Sequence, residues 1–279
     1  MNVSNVCRYI AFLARSLSFS SIPGYLNIIR IMHLEAGLDN PLDNYHVRAL
    51  LKGVKRAIGA PPKQKLPITP EVLLAIHSVL DFSVNFNVAL WAAMLVAFFT
   101  FLRKSSLLPQ SFKEFDCKKH LCYNSVNFVY EGALLSVKTT KTIQCREREL
   151  CIPLPVVKDS ILCPVTALQN MFDRLVTVYP NMPLFSYSRN KNFVCLTYSS
   201  FVKALKQVLS ACGYDYSKYS GHSFRRGGAT FAFSCGIPSE YIKIHGDWKS
   251  SAYLRYIDVD TSMKWKLAYS MSDKLPRLS

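Results

Sequence analysis

The chain has 279 residues, and its 34 lysines and arginines against 18 aspartates and glutamates give a formal net charge of +16. Half of the residues are hydrophobic and 13% are aromatic, which provides for a sizeable core and excludes wholesale disorder. A globular chain this basic usually binds a polyanion, either nucleic acid or an anionic membrane surface. A soluble protein with a merely basic surface is the alternative.

Apolar residues at helical spacing predict three helices near the start of the chain, in the segments "NVCRYIAFLARSL", "SIPGYLNIIRIMHLEAG" and "YHVRALLKGVKRAIG". The stretch "GAPPKQKLPITP", residues 59–70, then breaks the periodicity with its prolines and its glycine. We therefore expect a small helical domain over residues 1–60, a linker over 61–69 and a larger domain over 70–279.

The larger domain opens with a helix that begins at Pro70, and an uncharged segment from Val88 to Leu102 follows. This segment ends at Arg103 and Lys104, as a membrane span with a positive flank would. A span needs about 20 residues, however, and the segment is shorter. We therefore expect a helix buried in the core, whose end holds Arg103 on a rigid element.

Residues 124–155 change the period, because alternating apolar residues and turn chemistry at Glu131 and Gly132 predict strands. Helical patterns return after Cys163, in "PVTALQNMFDRLV", "TYSSFVKALKQVLSACG", "GHSFRRGGATFAFSCGI" and "SAYLRYIDV". The predicted fold is therefore mainly α with a small antiparallel β-sheet.

The nine cysteines are scattered, and the start of the chain lacks the pattern of a secretory signal, so we expect free thiols in a reducing compartment. Cys117, His120 and Cys122 lie close together in the sequence. A structural zinc site needs four ligands, and no second cluster lies nearby. We therefore expect no metal cofactor.

Six polar or aromatic residues stand out in these elements, and their chemistry fits phosphoryl transfer. Arginine forks bind phosphate oxygens bidentately. Lysine and histidine can transfer protons, and a tyrosine hydroxyl can act as a covalent nucleophile. Two of the six, His222 and Arg225, are three apart and share a helical face. In chain order, the six are Arg103, Lys141, His222, Arg225, Trp248 and Tyr256.

With these residues the chain resembles the tyrosine recombinase, or phage integrase, family over almost its whole length. The resemblance is carried by Arg103 in "FLRKSSLL", Lys141 in "TKTIQ", "HSFR" at 222–225 and Tyr256 in "YLRYI". Details such as "GHSFRRGGAT" are most similar to recombinases of DIRS-type or Ngaro-type retrotransposons and of Crypton elements. The resemblance implies a recombinase catalytic domain preceded by a helical core-binding (SAM-like) domain, which is shorter here than is usual in the family.

The resemblance also implies a mechanism. Tyr256 would attack a DNA phosphodiester, form a 3′-phosphotyrosyl link and release a 5′-hydroxyl. A second 5′-hydroxyl could then rejoin the strand without ATP or metal. Arg103 and Arg225 would neutralise the negative charge that grows on the phosphate oxygens.

Three further residues would assist. Lys141 would protonate the leaving 5′-oxygen, and His222 would act as acid/base or as a hydrogen-bond donor to the phosphate. Trp248 would donate its indole N–H to the same phosphate. Lys138 competes with Lys141 for its role, and the "TKT" context favours Lys141.

The chain departs from the family's pattern at two positions. Where the family often has an acid three residues after the first arginine, this chain has Ser106. The family's His/Trp position usually lies nine residues before the tyrosine, and counting back from Tyr256 gives Asp247, which would be unfavourable beside a phosphate. Trp248 is chemically better suited, and His245 is a third candidate.

The charge and the resemblance predict double-stranded DNA as the partner, bound by a homo-oligomer (dimer to tetramer), with no cofactor and no membrane. A eukaryotic mobile element would place the protein in the nucleus, and any other source in the cytoplasm or nucleoid. The leading function is a site-specific recombinase or integrase, and the alternative is an inactive, recombinase-derived DNA-binding protein. The residues expected to contact DNA are Lys52, Lys55, Arg56, Lys63, Lys65 and Arg226.

Overall fold

The structure is a computed structural model that describes residues 1–60, 64–140, 142–143, 148–175, 177–190 and 192–257, with residues 261, 263, 265, 268 and 269. The chain forms two compact units, Met1–Gln64 and Lys65–Ser279. Each unit has a hydrophobic core of its own.

The N-terminal unit consists of three helices, as its apolar periodicity predicts: α1 (Val3–Leu13), α2 (Ile22–Glu35) and α3 (Tyr45–Ile58). Asn2 and Asn44 cap α1 and α3, because each side chain accepts a hydrogen bond from a backbone N–H of the first turn. The helices meet in a small core made of Val6, Ile10, Leu13, Ile22, Leu26 and Val47. Only Val47 of α3 is buried, so most of this basic helix faces solvent.

The C-terminal unit is built around α5 (Asn85–Thr100), which is buried on every side. Two neighbours, α7 (Pro164–Asp173) and α9 (His222–Ser234), pack directly against it. The other helices are α4 (Pro70–Val79), α6 (Lys104–Leu107), α8 (Tyr198–Ala211) and α10 (Ser239–His245). The predicted core helix is therefore α5, and no helix among the described residues combines the length and apolar character needed to cross a bilayer.

Two small antiparallel sheets accompany the helices, which confirms the predicted mainly helical fold. The first contains β1 (Val126–Val129), β2 (Gly132–Val137) and β3 (Leu150–Pro155) in that order, and the second contains β4 (Ser186–Arg189) and β5 (Asn192–Cys195). Val129 pairs with Gly132, so the first turn lies next to its predicted position. A Cβ at Gly132 would lie 2.1 Å from the Leu154 carbonyl oxygen, so this position requires glycine.

The two glycines of "RRGG" allow α9 to lie against the backbone of neighbouring segments. A Cβ at Gly227 would lie 1.8 Å from the carbonyl oxygen of Ile68, and one at Gly228 would lie 2.0 Å from that of Phe98. Ile68 also donates its backbone N–H to the Ser223 carbonyl at 2.9 Å. The glycine pair therefore fixes the start of α9 against the end of α5 and the segment that leads into α4.

Three local features differ from the sequence expectations. The β4–β5 hairpin and α10 are not indicated by the apolar pattern, because strands of four residues and a helix of seven carry too little periodicity. The helix predicted for "SAYLRYIDV" is wrong over Ser251–Arg255, where the chain forms a 3₁₀ turn. The last two residues of that pattern belong to the range 258–260, which lies outside the described residues.

Candidate active site

Arg225 lies in the first turn of α9, and only 1% of its surface is exposed. Its guanidinium donates to two backbone carbonyls, that of Phe101 and, at 2.7 Å, that of Gly246. These bonds connect three segments that are far apart in the sequence: the end of α5, the start of α9 and the end of α10. The Arg225 Nε has no hydrogen-bond partner among the described residues, so its N–H is not satisfied by these protein groups.

Arg103 lies where the buried helix α5 ends. The helix stops at Thr100, Phe101 takes a left-handed conformation with a φ of 51°, and Arg103 then precedes the short α6 with its side chain half-buried. Burial, followed by the positive charge of Arg103, lowers the pKa of Arg225 to about 9, so the guanidinium stays charged at neutral pH. The neighbouring positive charges of Arg103 and Arg225 together favour the binding of an anion.

His222 begins α9 and lies among positive charges. Its ring is exposed overall, but nearby protein atoms remove part of its hydration, which lowers its pKa. The charges of Lys104, Arg225 and Arg103 lower the pKa further. His222 is therefore neutral at neutral pH and able to accept a proton.

Lys104 is a member of this cluster that the sequence reasoning did not assign to the site. It lies in α6, with its ammonium 4.7 Å from the centre of the Tyr198 ring. Its position directly after Arg103 at the end of the core helix is the signal that could have identified it.

Trp248 and Tyr256 stack around the Arg225 guanidinium. The guanidinium carbon lies 3.7 Å from the centre of the Trp248 ring and 5.2 Å from that of Tyr256, and the two rings lie 5.3 Å apart. Such contacts stabilise a cation, most strongly where water is excluded. The Thr230 hydroxyl donates to the Tyr256 carbonyl at 3.0 Å and holds its backbone. The structure thus brings the proposed nucleophile and the buried arginine together.

The three candidates for the His/Trp position contact different parts of the protein. His245 donates through Nε2 to the Phe99 carbonyl at 2.8 Å, so its ring secures the end of α5. Asp247 accepts hydrogen bonds from the loop between β2 and β3. Trp248 is the candidate that lies against Arg225. Its donation of the indole N–H to a phosphate stays a prediction.

Lys141 lies outside the described residues. Its sequence neighbours Thr140 and Thr142 are described, and both hydroxyls donate to the Asp247 carboxylate. The competing Lys138 directly follows β2 and is exposed. The assignment of the leaving-group acid therefore rests on the sequence motif.

The residues predicted to contact DNA lie at or near the surface where they are described. Lys65 is exposed and donates to the Ser217 carbonyl at 2.5 Å, and Arg226 donates to the Lys65 carbonyl at 3.0 Å. Lys63 lies outside the described residues. Three are exposed on α3 of the N-terminal unit: Lys52, Lys55 and Arg56.

The cysteine and histidine cluster of the sequence shows no metal-binding arrangement. The Cys122 thiol donates to the carbonyls of Cys117, at 3.6 Å, and His120, at 3.4 Å. Burial raises the pKa of Cys122 to about 11, so it stays a thiol, whereas metals bind the thiolate. In the part of the chain that the structure describes, no group of three or more His, Cys, Asp or Glu side chains is placed to hold a metal ion.

Comparison with known proteins finds relatives in both sequence and structure. No family model matches the chain. A curated protein of Selenomonas ruminantium, an integrase/recombinase XerD homologue, is 24% identical over 261 residues, which cover 91% of this chain and 72% of that protein.

Solved structures share the fold. The XerH site-specific recombinase bound to a palindromic difH substrate matches with a TM-score of 0.61 and 12% identity, over 98% of this chain and 71% of that one. The Tn1549 transposon integrase in complex with a circular intermediate DNA matches with a TM-score of 0.58 and 14% identity, over 98% and 85% of the two chains. The fold is that of the tyrosine recombinases and integrases.

Proposed function

We propose that the protein is a tyrosine recombinase that cuts and rejoins double-stranded DNA through a 3′-phosphotyrosyl intermediate. The observation that carries the proposal is the stacking of Tyr256 and Trp248 around the buried guanidinium of Arg225. A phenolic nucleophile beside a fixed cation, with Arg103 and His222 nearby, suits attack on a phosphodiester.

In the cleavage step the Tyr256 oxygen attacks phosphorus, and its phenolic proton passes to the neutral His222. The bond between phosphorus and the 5′-oxygen breaks, and Lys141 gives that oxygen a proton. The products are a 3′-phosphotyrosyl link and a free 5′-hydroxyl. Arg103 and Arg225 stabilise the charge on the non-bridging oxygens. Rejoining reverses these steps with the 5′-hydroxyl of another strand.

The proposed DNA partner is supported by the net charge of +16 and by the DNA-bound state of two structural neighbours. We further propose that the protein acts as a dimer to tetramer on DNA. The motifs "GHSFRRGGAT" and "TKTIQ" support a mobile element of the DIRS, Ngaro or Crypton type, and hence a nuclear protein, as a finer assignment. A source outside such elements would place it in the cytoplasm or nucleoid.

A nicked suicide duplex tests the proposed chemistry, because the cleaved strand loses its short 5′-hydroxyl fragment and the protein stays attached. The wild-type protein should form a denaturant-resistant DNA adduct, and Tyr256→Phe should form none while binding the same duplex. Tyr253→Phe is the matched control, since Tyr253 is only 8% exposed and its hydroxyl donates to Ser239 at 3.2 Å. An adduct that persists in Tyr256→Phe would exclude Tyr256 as the nucleophile. Binding without any wild-type adduct would favour the inactive DNA-binding alternative.

A further inference from the structure

Asp247 is an ionised carboxylate in the interior of the C-terminal unit. It has a left-handed backbone conformation, with a φ of 53°, and only 4% of its surface is exposed. It is the only acidic side chain buried to this degree among the described residues. Burial alone would raise its pKa, but hydrogen bonds from two threonine hydroxyls and the charges of nearby arginines outweigh burial and lower the pKa. Asp247 is therefore negatively charged at neutral pH.

Both carboxylate oxygens are engaged by the loop that connects β2 and β3. Oδ2 accepts hydrogen bonds from the hydroxyls of Thr140, at 2.5 Å, and Thr142. Oδ1 accepts a hydrogen bond from the guanidinium of Arg148. The three donors come from both ends of the loop, so one side chain connects the loop's two arms.

Thr140 and Ile143 of this loop are paired with each other next to Asp247. The backbones of Thr140 and Ile143 exchange N–H···O=C bonds of 3.2 and 3.3 Å. The Ile143 side chain is fully buried, and the Thr139 hydroxyl donates to the Lys119 carbonyl at 2.7 Å. Ile143 and Thr139 are thus anchored on the core side, and Asp247 fixes Thr140 and Thr142 on the other side.

We infer that Asp247 is a positioning residue that holds Thr140 and Thr142, the two sequence neighbours of Lys141, in register with the segment bearing Tyr256. A carboxylate repels a phosphate, so Asp247 cannot take the donor role that the family's His/Trp position fills. Its sequence position, nine residues before Tyr256, instead ties the nucleophile's segment to Thr140 and Thr142. Lys141 is covalently bonded to both threonines. This inference rests on the proposed function, because it assigns Asp247 to the leaving-group step of that reaction.

A pair of substrates isolates the leaving-group step. One suicide duplex has the ordinary 5′-oxygen at the cleavage site, and the other has sulfur there, as a 5′-bridging phosphorothiolate. A thiol has a pKa of about 8.5, whereas that of water is about 15.7, so sulfur leaves without receiving a proton. A defect in the position of the general acid should therefore slow cleavage of the oxygen substrate only.

Asp247→Ala should slow adduct formation on the oxygen substrate by at least about tenfold, and by no more than the factor of about 10²–10⁴ that a general acid contributes. On the sulfur substrate its rate should stay within about twofold of wild type, because no proton is needed. Lys141→Ala should show the same pattern. Asp173→Asn removes a negative charge from an exposed residue of α7 and should change neither rate.

The combined variant Thr140→Val, Thr142→Val keeps the carboxylate but removes both hydroxyl donors, and it should behave like Asp247→Ala. This second variant decides the matter if Asp247→Ala does not fold. Equal slowing on both substrates in a folded, DNA-binding variant, or no slowing at all, would overturn the positioning role. Failure of the proposed function is a separate result, in which the wild-type protein forms no adduct with either substrate.

Discussion

Arg225 keeps its charge inside the protein because protein groups replace the water that it loses. Two carbonyls accept its N–H bonds, and the rings of Trp248 and Tyr256 lie against its plane. The planar fork is essential to this arrangement, since one side of the group reaches Phe101 and another reaches Gly246. A lysine ammonium has the same charge but neither the plane nor the second arm.

We therefore expect Arg225→Lys to slow cleavage by about a thousandfold or more, as is typical for loss of a clamp arginine on a transferring phosphoryl group. The rate of adduct formation in a single turnover measures the effect. Arg174→Lys is the matched control, because Arg174 also donates to a backbone carbonyl, that of Phe82, at 3.1 Å. Wild-type activity in Arg225→Lys would show that the fork is dispensable.

The lowered pKa of His222 makes the stability of the fold depend on pH. The folded protein resists protonation of His222, while the unfolded chain takes up a proton at the ordinary value of 6.5. The stabilising effect of the neutral ring is therefore complete above pH 6.5 and is lost as the pH falls through the lower, folded-state pKa.

Urea unfolding at about pH 7.5 and about pH 5.5 should show a smaller loss of stability in His222→Gln than in the wild type, because the variant has no group that titrates there. His46→Gln, which removes an exposed histidine of α3, controls for the general loss of an imidazole. Equal pH dependence in wild type and His222→Gln would show that neither burial nor the nearby cations lower the pKa of this ring.

For single residues, the sequence indicates which side chains belong to the site better than it indicates what those side chains contact. The order and chemistry of residue types indicated Arg225, Trp248 and Tyr256, and the structure brings these three side chains together. The partners of Asp247 could not be found from the sequence, because Thr140 and Asp247 are 107 residues apart and only the folded chain makes them neighbours.

Among the elements, α9 shows how a weak helix former can be required by packing. Gly227 and Gly228 lower helix propensity, yet the close approach of Ile68 and Phe98 leaves no room for a Cβ. The packing of α9 against α5 is what sets the positions of His222 and Arg225. The two glycines lower the helix propensity of α9, but without them α9 could not pack closely enough to assemble the site.

Gly227→Ala should destabilise the C-terminal unit by about 3 kcal/mol, at the upper end for overpacking, because the obstructing atom belongs to the backbone. Gly53→Ala in the middle of α3 is the opposite case, since its Cβ would meet nothing within 4 Å. It should stabilise the N-terminal unit by about 0.8–1.0 kcal/mol. Denaturant unfolding, followed for each unit, measures both. A neutral Gly227→Ala would mean that α9 can shift away from Ile68.

Long periodic elements are predictable here, and short ones are not. The core helix α5 follows from its continuous apolar run, and the helices of the N-terminal unit follow from apolar spacing. The segment after α10 has helical spacing, but it folds as a 3₁₀ turn whose Tyr253 and neighbouring Trp248 pack in a small cluster with Phe101. Tertiary contacts of this kind override a weak local preference.

For the whole molecule, the charge of +16 predicts a salt-dependent affinity for DNA. Each phosphate contact releases counterions, so log affinity should fall linearly with log salt by about 0.9 per contact. Replacing Lys52, Lys55 and Arg56 with Ala should weaken binding to all sequences and reduce that slope by up to about 3.

Titration of a fluorescent duplex at several salt concentrations measures the slope. Arg8→Ala, Arg15→Ala and Arg30→Ala together form the matched control, since they remove the same charge from other parts of the N-terminal unit. An unchanged slope in the α3 variant would show that this helix does not contact DNA.

Tyr256 packs against a small apolar cluster that could open by itself. Phe101, Ala229, Ile242, Trp248 and Tyr253 form an apolar group separate from the main core of the C-terminal unit. Loss of this group would release the turn that ends at Tyr256 while the large core stays folded, because cooperative units open at different free energies. Local opening of this cluster would therefore separate Tyr256 from Arg225 without unfolding the large core.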